Sequence, residues 1–201
     1  SDAIENKKPL NISETNQGCV PLVQAINDRQ VQGVLDGVRG HHNYTYVHSL
    51  RVATYLSVFG HAIGMRDDEL ITLSTGGLLH DVGHLMIYQS LPELAHQTTL
   101  SSQQNQSPLH LVEQQQLGFD FAQLGAELLS NWNLPSSLVE AIKYQLNPSS
   151  AEPFQLEASI LHISRSMTEL FNLGLMLNEE TLGDIDESAL QITGINIEHC
   201  I

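Results

Sequence analysis

The sequence predicts an all-α fold, a single-domain helical bundle of 201 residues. From Val20 onwards, apolar residues recur three and four positions apart, the spacing that places side chains on one face of a helix. Gly, Pro, Asp and Asn stand at the ends of these stretches, where helices begin and end. No segment alternates apolar and polar residues in the manner of a half-buried strand. A chain of this length with 41% hydrophobic residues can bury a core of its own.

The first part of the chain predicts a leader followed by two helices. Residues 1–18 are polar and aperiodic, so we expect a loose leader ahead of a helical domain over residues 19–201. The pattern over residues 20–38 predicts the first helix, and that over residues 44–63 predicts the second. Gly64 follows the second helix at the position where a C-capping glycine is common.

The middle of the chain predicts a helix and then a connector. Asp67 is predicted as the N-cap of the third helix, because acidic residues fill the turn after it and an apolar face continues through Leu70 and Leu73. Residues 96–118 are rich in Gln and Ser, so they predict a long polar connector with one short helix from Pro108. Connectors of this length are uncommon in compact domains unless they are functional or mobile.

The second half of the chain predicts further helices with recognisable ends. The helix over residues 120–132 begins with Asp120 as its N-cap, and the helix over residues 135–146 has proline at its first position. Residues 153–171 carry a long apolar face with 4-3-4-3 spacing. A last short helix is expected after Asp186.

The charge balance argues against a polyanionic partner. The chain has 23 acidic and 8 basic residues, a formal net charge of −15. Proteins that bind nucleic acids or anionic membranes present clustered Lys and Arg, and no such cluster occurs in this sequence. We therefore expect no nucleic-acid partner and no membrane partner.

Further features of the sequence predict a cytoplasmic protein. It contains neither an apolar run of about 18 residues, as a membrane span requires, nor a recognisable signal peptide. Cys19 and Cys200 match no metal-binding or redox spacing. Two free thiols in a reducing cytoplasm are the simpler interpretation, with a single disulfide as the alternative.

The segment TGGLLHDVGHLMI, residues 75–87, sets His80, Asp81 and His84 inside an apolar run. Burying such groups is costly unless they are paired, hydrogen-bonded or bound to a metal. His48 meets the same condition, because it falls in line with the apolar residues of one helix face. Two imidazoles and one carboxylate, from His48, His80 and Asp81, would form a ligand set for Fe, Mn, Zn or Ni. The spacing alone leaves this metal site and a metal-free, hydrogen-bonded polar core equally open.

The remaining histidines fit structural or solvated positions. His162 lies inside the long helix but off its main apolar face, so we expect a hydrogen-bonded structural histidine. His42 adjoins the start of the second helix, where a capping role and a surface role both stay open. A solvated surface position is expected for those at predicted helix ends and in loops, namely His41, His61, His96, His110 and His199.

Two regions of the chain carry a resemblance to known proteins. Residues 44–87, with their His…His-Asp pattern, resemble the HD-domain phosphohydrolase superfamily, in particular the first half of HD-GYP phosphodiesterases. Residues 111–148 resemble the HD-related output domain (HDOD), a signalling relative, and they include the characteristic Trp-x-Leu-Pro helix start at 132–135. The ending at residues 185–195 is similar to the same group.

The resemblance implies a metal-dependent chemistry. In the superfamily, a His, a His-Asp doublet and a later Asp hold a metal that polarises phosphate and activates water. This pattern matches His48, His80 and Asp81. It also implies that His84 faces the substrate phosphate, where Arg51, one turn beyond His48, would help to hold the charge as a second catalytic residue. A surface or interhelical ion pair is the alternative for Arg51.

The sequence departs from the superfamily pattern at several ligand positions. Many relatives have His where this chain has Phe121, and a His pair where it has Gln145 and Leu146. Arg165 stands in place of the later Asp, and no Gly-Tyr-Pro triplet follows. We expect Phe121 and Gln145 still to face inward, where neither can replace an ionisable ligand. Arg165 would repel a divalent cation, and we predict that it pairs with Asp81 in a metal-free pocket.

These departures favour one function over another. The favoured hypothesis is an HDOD-type signal-transduction output domain, non-catalytic, with an incomplete metal site and either one bound transition metal or none. Its partner would be a regulatory protein or a small nucleotide ligand, and a homo-oligomer stays open. The alternative is a metal-dependent phosphohydrolase or phosphodiesterase that acts on a small phosphorylated or cyclic-nucleotide ligand. A purely structural role for the polar cluster is the third hypothesis.

Overall fold

The computed structural model describes residues 44–175 and 185–196, together with the positions 17, 19–21, 23 and 24. Every regular element in this part of the chain is helical, which confirms the predicted all-α, single-domain fold. None of the described helices is both long enough and apolar enough to cross a bilayer. The helices are α1 (Tyr44–Ala62), α2 (Asp67–Leu79), α3 (Val82–Ser90), α4 (Pro92–Asn105), α5 (Leu109–Leu117), α6 (Phe121–Asn131), α7 (Ser136–Lys143), α8 (Gln155–Asn172) and α9 (Glu187–Thr193), with a 3-10 turn at Pro148–Ser150.

The main hydrophobic core lies where α1, α2, α7 and α8 pack on one another. Val52 and Leu56 from α1 are fully buried there, as are Ile142 of α7 and Ile160 of α8. Removing such side chains from water is the main favourable contribution to folding. Because the apolar residues of α1 and α8 pack into this core, they determine which face of each helix lies towards the centre of the bundle.

Two glycines let neighbouring helices approach closely on either side of the α2–α3 junction. A Cβ atom at Gly77 would lie 2.7 Å from the Cα atom of Ala53, so α2 can pack on α1 in this way only without a side chain at that position. A Cβ atom at Gly83 would collide with the backbone carbonyl oxygen of Phe121, at the start of α6. The junction is thereby held between α1 and α6.

The polar connector predicted over residues 96–118 is wrong for the part before Pro108, whereas the short helix predicted from Pro108 is confirmed, with Pro108 as its N-cap. This segment forms most of α4 and all of α5. Pro92 is the first residue of α4, no Gly or Pro follows before Pro108, and Ala95 and Thr98 give the helix a buried inner face. Gln and Ser are compatible with a helix when one face is packed, so a polar composition did not indicate a loop here.

Most of the predicted helix ends are confirmed. The Asp120 carboxylate accepts a hydrogen bond from the backbone N–H of Gln123 at 2.8 Å, and that of Asp186 accepts one from the N–H of Ser188 at 2.8 Å. Gly64 adopts a φ of +83°, as expected for a residue that follows a helix in the left-handed conformation.

Two predicted helix starts move by one residue. Asp67 is the first residue of α2 and not its N-cap, because the backbone N–H of Arg66 donates to the Glu69 carboxylate at 2.9 Å and makes Arg66 the cap. Pro135 has an extended ψ of 140° and precedes α7, so it is the cap and not the first helical residue. Helix α7 also ends at Lys143, three residues earlier than predicted.

The N-terminal predictions fall mostly outside the described residues. These include the leader over residues 1–18, apart from position 17, and most of the helix over residues 20–38; the described positions between 19 and 24 are helical. Cys19 is a buried free thiol that accepts a hydrogen bond from the Thr75 hydroxyl at 3.6 Å. Cys200 lies outside the described residues, as do His41, His42 and His199.

Candidate functional site

The fold brings together the three residues that the sequence singled out as metal ligands. His48 lies on the inner face of α1, while His80 follows α2 and Asp81 precedes α3. The Nε2 atoms of the two histidines are 3.2 Å apart, and the Asp81 carboxylate lies 3.6 Å from His48 Nε2 and 3.3 Å from His80 Nε2. His80 is fully buried and His48 nearly so. In the described part of the chain, this is the one group of three such residues whose ligand atoms converge.

The surroundings set the charge of each of these groups. Burial is the main cause that lowers the pKa of His48 to about 4. Burial likewise lowers the pKa of His80. Burial alone would raise the pKa of the Asp81 carboxyl, but the histidines around it hold that pKa well below its usual range. The site therefore contains two neutral imidazoles and one carboxylate, which is the protonation state that a metal requires of such ligands.

The spacing of the donor atoms is close to that expected around a single metal ion. Atoms that each lie about 2.1 Å from one ion are about 3.0–3.4 Å apart at octahedral or tetrahedral angles. The two histidine Nε2 atoms are 3.2 Å apart, and Asp81 Oδ1 lies 3.3 Å from His80 Nε2, both within that range. The 3.6 Å contact of His48 Nε2 is with the other carboxylate oxygen, Oδ2, and one ligand atom from each residue lies within 4.8 Å of the other two. Three protein ligands would leave positions open on the ion, so the donor set and its spacing suit a transition metal that is only partly enclosed by protein.

The ring of His80 is oriented by the helix that precedes it. Its Nδ1 lies 2.8 Å from the backbone carbonyl oxygen of Gly77, and a carbonyl can only accept, so the Nδ1–H donates. The unprotonated Nε2 then faces His48 and Asp81. A backbone carbonyl in this position is a common partner for the second nitrogen of a metal-binding histidine.

His84 faces two carboxylates. Its Nδ1 lies 3.6 Å from Asp81 Oδ1, and its Nε2 lies 3.4 Å from Glu113 Oε1, an ion-pair separation without the alignment of a hydrogen bond. Burial by itself lowers the pKa of His84, but the two carboxylates outweigh it and raise the pKa to about 9. The ring stacks on that of Phe121 with centroids 3.9 Å apart. The cation expected to face a phosphate is thus neutralised by protein groups.

Glu113 belongs to the site, although the sequence did not point to it. Its side chain is 2% exposed, and its second oxygen accepts the backbone N–H of Phe121 at 3.0 Å, at the start of α6. One signal was available: Glu113 is the single acidic or basic residue, histidine aside, between positions 94 and 119. Buried charged residues are normally paired, so a single charged residue in an otherwise uncharged segment can indicate a buried ion pair.

Arg51 reaches the site through a residue that the sequence did not suggest. Its Nη1 donates to Asn172 Oδ1 at 2.6 Å, and its guanidinium carbon lies 4.6 Å from the centre of the Phe171 ring. The amide nitrogen of Asn172 lies 3.3 Å from His48 Nδ1. Arg51 therefore joins α1 to the end of α8 and contacts the histidine pair indirectly.

The predicted pair between Arg165 and Asp81 is wrong. Arg165 Nη2 lies 2.7 Å from Glu169 Oε1, one turn further along α8, and its guanidinium carbon is 5.7 Å from the Phe121 ring centre. Residues four positions apart lie on the same face of a helix, so the Glu169 carboxylate is within reach of Arg165. Arg165 therefore pairs with Glu169 and not with Asp81, which lies outside α8. Arg165 is nevertheless largely buried and does not point into solvent.

Phe121 and Gln145 both face inward, as predicted. The Gln145 side chain is fully buried, and its Nε2 donates to the backbone carbonyl oxygens of His80 at 3.0 Å and Ile142 at 3.1 Å. His162 is a structural histidine, also as predicted: its Nδ1 donates to the Gln145 carbonyl at 2.9 Å and its Nε2 accepts the backbone N–H of Asp186 at 3.1 Å. The bond from Gln145 to the His80 carbonyl connects the end of α7 to the site, and His162 connects Gln145 to the start of α9.

The surface histidines divide. His61 and His96 are exposed as predicted, whereas His110 is half-buried and lines a cavity of about 420 Å³ next to His84. The cations of this cavity are matched by carboxylates, since Arg165 pairs with Glu169 inside it. A second cavity, of about 250 Å³, lies between α2 and α7 away from the histidines. The first is lined by His84, Pro108, Leu109, His110, Phe121, Leu146, His162, Arg165, Ser166 and Glu169.

Comparison with known proteins agrees with this architecture. Residues 23–148 match the family model described as HDOD domain. The fold is similar to that of the "Putative phosphohydrolase" from Shewanella amazonensis SB2B, with a TM-score of 0.63, 22% identity and coverage of 77% of this chain and 56% of that one. It is also similar to a "Putative signal transduction protein" from Marinobacter aquaeolei VT8, with a TM-score of 0.55, 22% identity and coverage of 80% and 36%.

A relative in sequence is an "Uncharacterized protein" of Treponema pallidum (strain Nichols). It is 28% identical over 80 residues, which are 39% of this chain and 16% of that protein. The chain thus spans between a sixth and little more than half of the length of these proteins. At identities near 22%, the two structural similarities establish a shared fold.

Proposed function

Because the chain belongs to the HDOD domain family, we propose that it is a signal-transduction output domain with an incomplete metal site and no hydrolytic activity. The observation that carries the proposal is the identity of two side chains beside the histidine pair. Phe121 stacks on His84, and Gln145 donates to the His80 carbonyl, at positions where the resemblance to HD-domain enzymes implies ionisable ligands. A phenyl ring supplies no metal donor, and the buried Gln145 Oε1, which has no hydrogen-bond partner, is a neutral oxygen and not an ionisable ligand.

The charges around the cavity support the same proposal. A phosphate that entered next to His84 would meet the carboxylates of Asp81 and Glu113, which already flank the imidazolium. Arg165 is paired with Glu169 in the same cavity. An anionic substrate would have to displace these internal partners, and repulsion between like charges in a partly buried site opposes this.

We expect the partner of such a domain to be a regulatory protein rather than a small nucleotide. The phosphate of a nucleotide needs a counter-charge, and the cations that line the cavity near the site are matched within the protein. The expected surroundings are cytoplasmic, and the domain would act by binding.

A metal-dependent phosphohydrolase is the second candidate, and the ligand spacing favours it. His48, His80 and Asp81 would hold one divalent transition metal, with Fe, Mn, Zn and Ni as the candidates. A bound metal would supply Lewis-acid chemistry and a nucleophile at neutral pH. In that case Asp81 would also orient the cationic His84, and Glu113 would keep that ring charged.

Metal content and phosphodiester hydrolysis separate the two candidates. The full, untagged chain is purified, its transition metals are measured by elemental analysis, and bis(p-nitrophenyl) phosphate is offered with added Mn²⁺, Fe²⁺, Zn²⁺ or Ni²⁺. The variants are His80→Ala with Asp81→Ala, and His96→Ala as a matched control at an exposed histidine. We expect metal well below one ion per chain and no hydrolysis above the metal-only rate.

One outcome would overturn the proposal. A wild-type chain with close to one metal per molecule, and with hydrolysis that the double variant loses while His96→Ala keeps it, would establish the phosphohydrolase. Hydrolysis that persists in the double variant would instead report a contaminating enzyme, and the proposal of a non-catalytic domain would stand.

A further inference from the structure

We propose that Asn172, held in its orientation by Arg51, places the imidazole proton of His48 on Nε2. With its proton there, His48 Nε2 has no lone pair for a metal ion, and the pair of histidines favours the metal-free state. Asn172 and Arg51 are thereby positioning residues of the site. The inference rests on the proposed function, because it gives a physical reason why the three well-spaced donors would remain metal-free. It concerns residues at the end of α8 and on α1 that are outside the His-Asp motif.

The orientation of the Asn172 amide follows from its contact with Arg51. A guanidinium carries only donors, so the atom that it contacts at 2.6 Å has to be the amide oxygen. The Phe171 ring, 4.6 Å from the guanidinium carbon, helps to hold Arg51 in place. The amide nitrogen of Asn172 is then the atom that faces His48 Nδ1, at 3.3 Å.

This orientation determines which nitrogen of His48 is protonated. An amide nitrogen only donates, so His48 Nδ1 accepts and carries no hydrogen. In the neutral ring the proton is therefore on Nε2, which lies 3.2 Å from His80 Nε2. His80 Nε2 is an acceptor, because its Nδ1–H donates to the Gly77 carbonyl. The result is a continuous chain of donors and acceptors from Arg51 to Gly77.

Metal binding would require the opposite arrangement at His48. Its Nε2 would need a free lone pair, so the proton would have to lie on Nδ1 and find an acceptor there. Turning the Asn172 amide would supply its oxygen, but it would set the amide NH₂ against the Arg51 guanidinium, donor against donor. The charge-assisted hydrogen bond from Arg51 would be lost. Asn172 therefore favours the metal-free arrangement.

A carboxylate at this position would reverse the preference. It could accept from the Arg51 guanidinium and from a protonated His48 Nδ1 at the same time, and that would leave His48 Nε2 free for a metal. Carboxylate partners of metal-binding histidines typically change metal affinity by about 10–100-fold. Asn172→Asp is thus expected to tighten binding of Zn²⁺ or Mn²⁺ by that factor.

Calorimetric titration of the chelator-treated, untagged full chain with Zn²⁺ and Mn²⁺ tests the inference. We expect one ion per chain and roughly 10–100-fold tighter binding for Asn172→Asp than for wild type, lost again when His80→Ala is added. Asn105→Asp is the matched control, since Asn105 is an exposed last residue of α4 as Asn172 is the last residue of α8. Equal affinities of wild type and Asn172→Asp, or an equal gain in Asn105→Asp, would overturn the inference.

A second measurement does not depend on the folding of a variant. Long-range ¹H–¹⁵N NMR of the metal-free wild-type chain distinguishes the two tautomers of His48, and we expect the Nε2–H form. An Nδ1–H form would overturn the inference. Metal and hydrolysis in the wild-type chain would overturn the proposed function, whereas the tautomer and the gain in Asn172→Asp test the role of Asn172, so the two failures are distinguishable.

Discussion

The Nδ1 atom of His162 lies 2.9 Å from the backbone carbonyl oxygen of Gln145, and this hydrogen bond joins the middle of α8 to the segment after α7. Because the His162 Nε2 accepts the backbone N–H of Asp186 at 3.1 Å, the ring has to be neutral for both contacts to form. Burial accordingly lowers the pKa of His162 from its usual 6.5. One uncharged imidazole thus connects three segments of the chain.

We therefore expect His162 to make stability depend on pH. In the unfolded chain it takes up a proton near pH 6.5, whereas in the folded chain it stays neutral to a lower pH. Its contribution is fully present above about pH 6.5 and is lost as the pH falls towards the folded pKa. We expect the free energy of unfolding, measured in urea between pH 7.5 and 5, to be higher for wild type than for His162→Gln. As the pH falls, that difference should narrow by at most about 1.4 kcal/mol per pH unit.

The comparison with His162→Gln isolates this residue. His48 and His80 also have lowered pKa values, but they are present in both proteins and their effects cancel in the difference. A stability gap that stays constant from pH 7.5 to 5 would show that His162 is not held neutral by these contacts.

Gly83→Ala is expected to destabilise the fold. The added Cβ would meet the backbone carbonyl oxygen of Phe121 and come 2.9 Å from the backbone nitrogen of Gly125, and neither atom can move without parting α3 from α6. Overpacking of this kind typically costs about 1–3 kcal/mol. The free energy of unfolding, measured in urea, should fall by that amount in the variant.

Gly125→Ala is the control, because it places the same methyl group on the facing helix. Its Cβ would have its nearest contacts at 3.5 Å, an ordinary van der Waals separation, and alanine favours a helix over glycine by roughly 1 kcal/mol. It should leave stability unchanged or raise it. Similar losses in Gly125→Ala and Gly83→Ala would contradict the close approach at Gly83.

The parts of the structure that local patterns determine were predictable. The apolar face of α8, the cap at Asp120, the helix after Asp186, and the inward direction of His48 and Gln145 depend on residues within a few turns, and each is confirmed. Helix α4 was missed because it buries only a narrow face, with Ala95 and Thr98 among polar residues. Its composition resembles that of a loop, although its packing does not.

Contacts between distant parts of the chain were beyond local patterns. Asn172 is 124 positions from His48 and 121 from Arg51, so no periodicity relates them. The sequence predicts an ion pair between Arg165 and Asp81, but Arg165 pairs with Glu169, which lies one turn away on the same helix. The sequence indicated which side chains turn inward, but the partners of each were set by how α1, α3, α5 and α8 pack.

Glu113→Gln should weaken the buried charge pair at His84. Glu113 is one of two carboxylates that raise the pKa of His84 to about 9, so the amide should lower that pKa, as measured by NMR titration. Hydrogen bonds and ion pairs to buried charged groups are worth about 1.5–3 kcal/mol, and the free energy of unfolding at pH 7 should fall by that order. Glu127→Gln, on the exposed face of α6, should change neither quantity. If the pKa of His84 is unchanged in Glu113→Gln, then Glu113 does not form the ion pair with His84.

Gln145→Met tests the amide that occupies the position of a ligand. Methionine has a similar length but donates nothing, so the carbonyl oxygen of His80 would lose the hydrogen bond that it receives from the buried Gln145 Nε2 at 3.0 Å. An unsatisfied buried polar group costs about 1–3 kcal/mol, and we expect a loss of this order in urea unfolding, with none for Gln115→Met on the exposed face of α5. A Gln145→Met variant as stable as wild type would mean that Gln145 merely fills space, and that the junction carrying His80 and Asp81 is held by the helix packing around Gly77 and Gly83 alone.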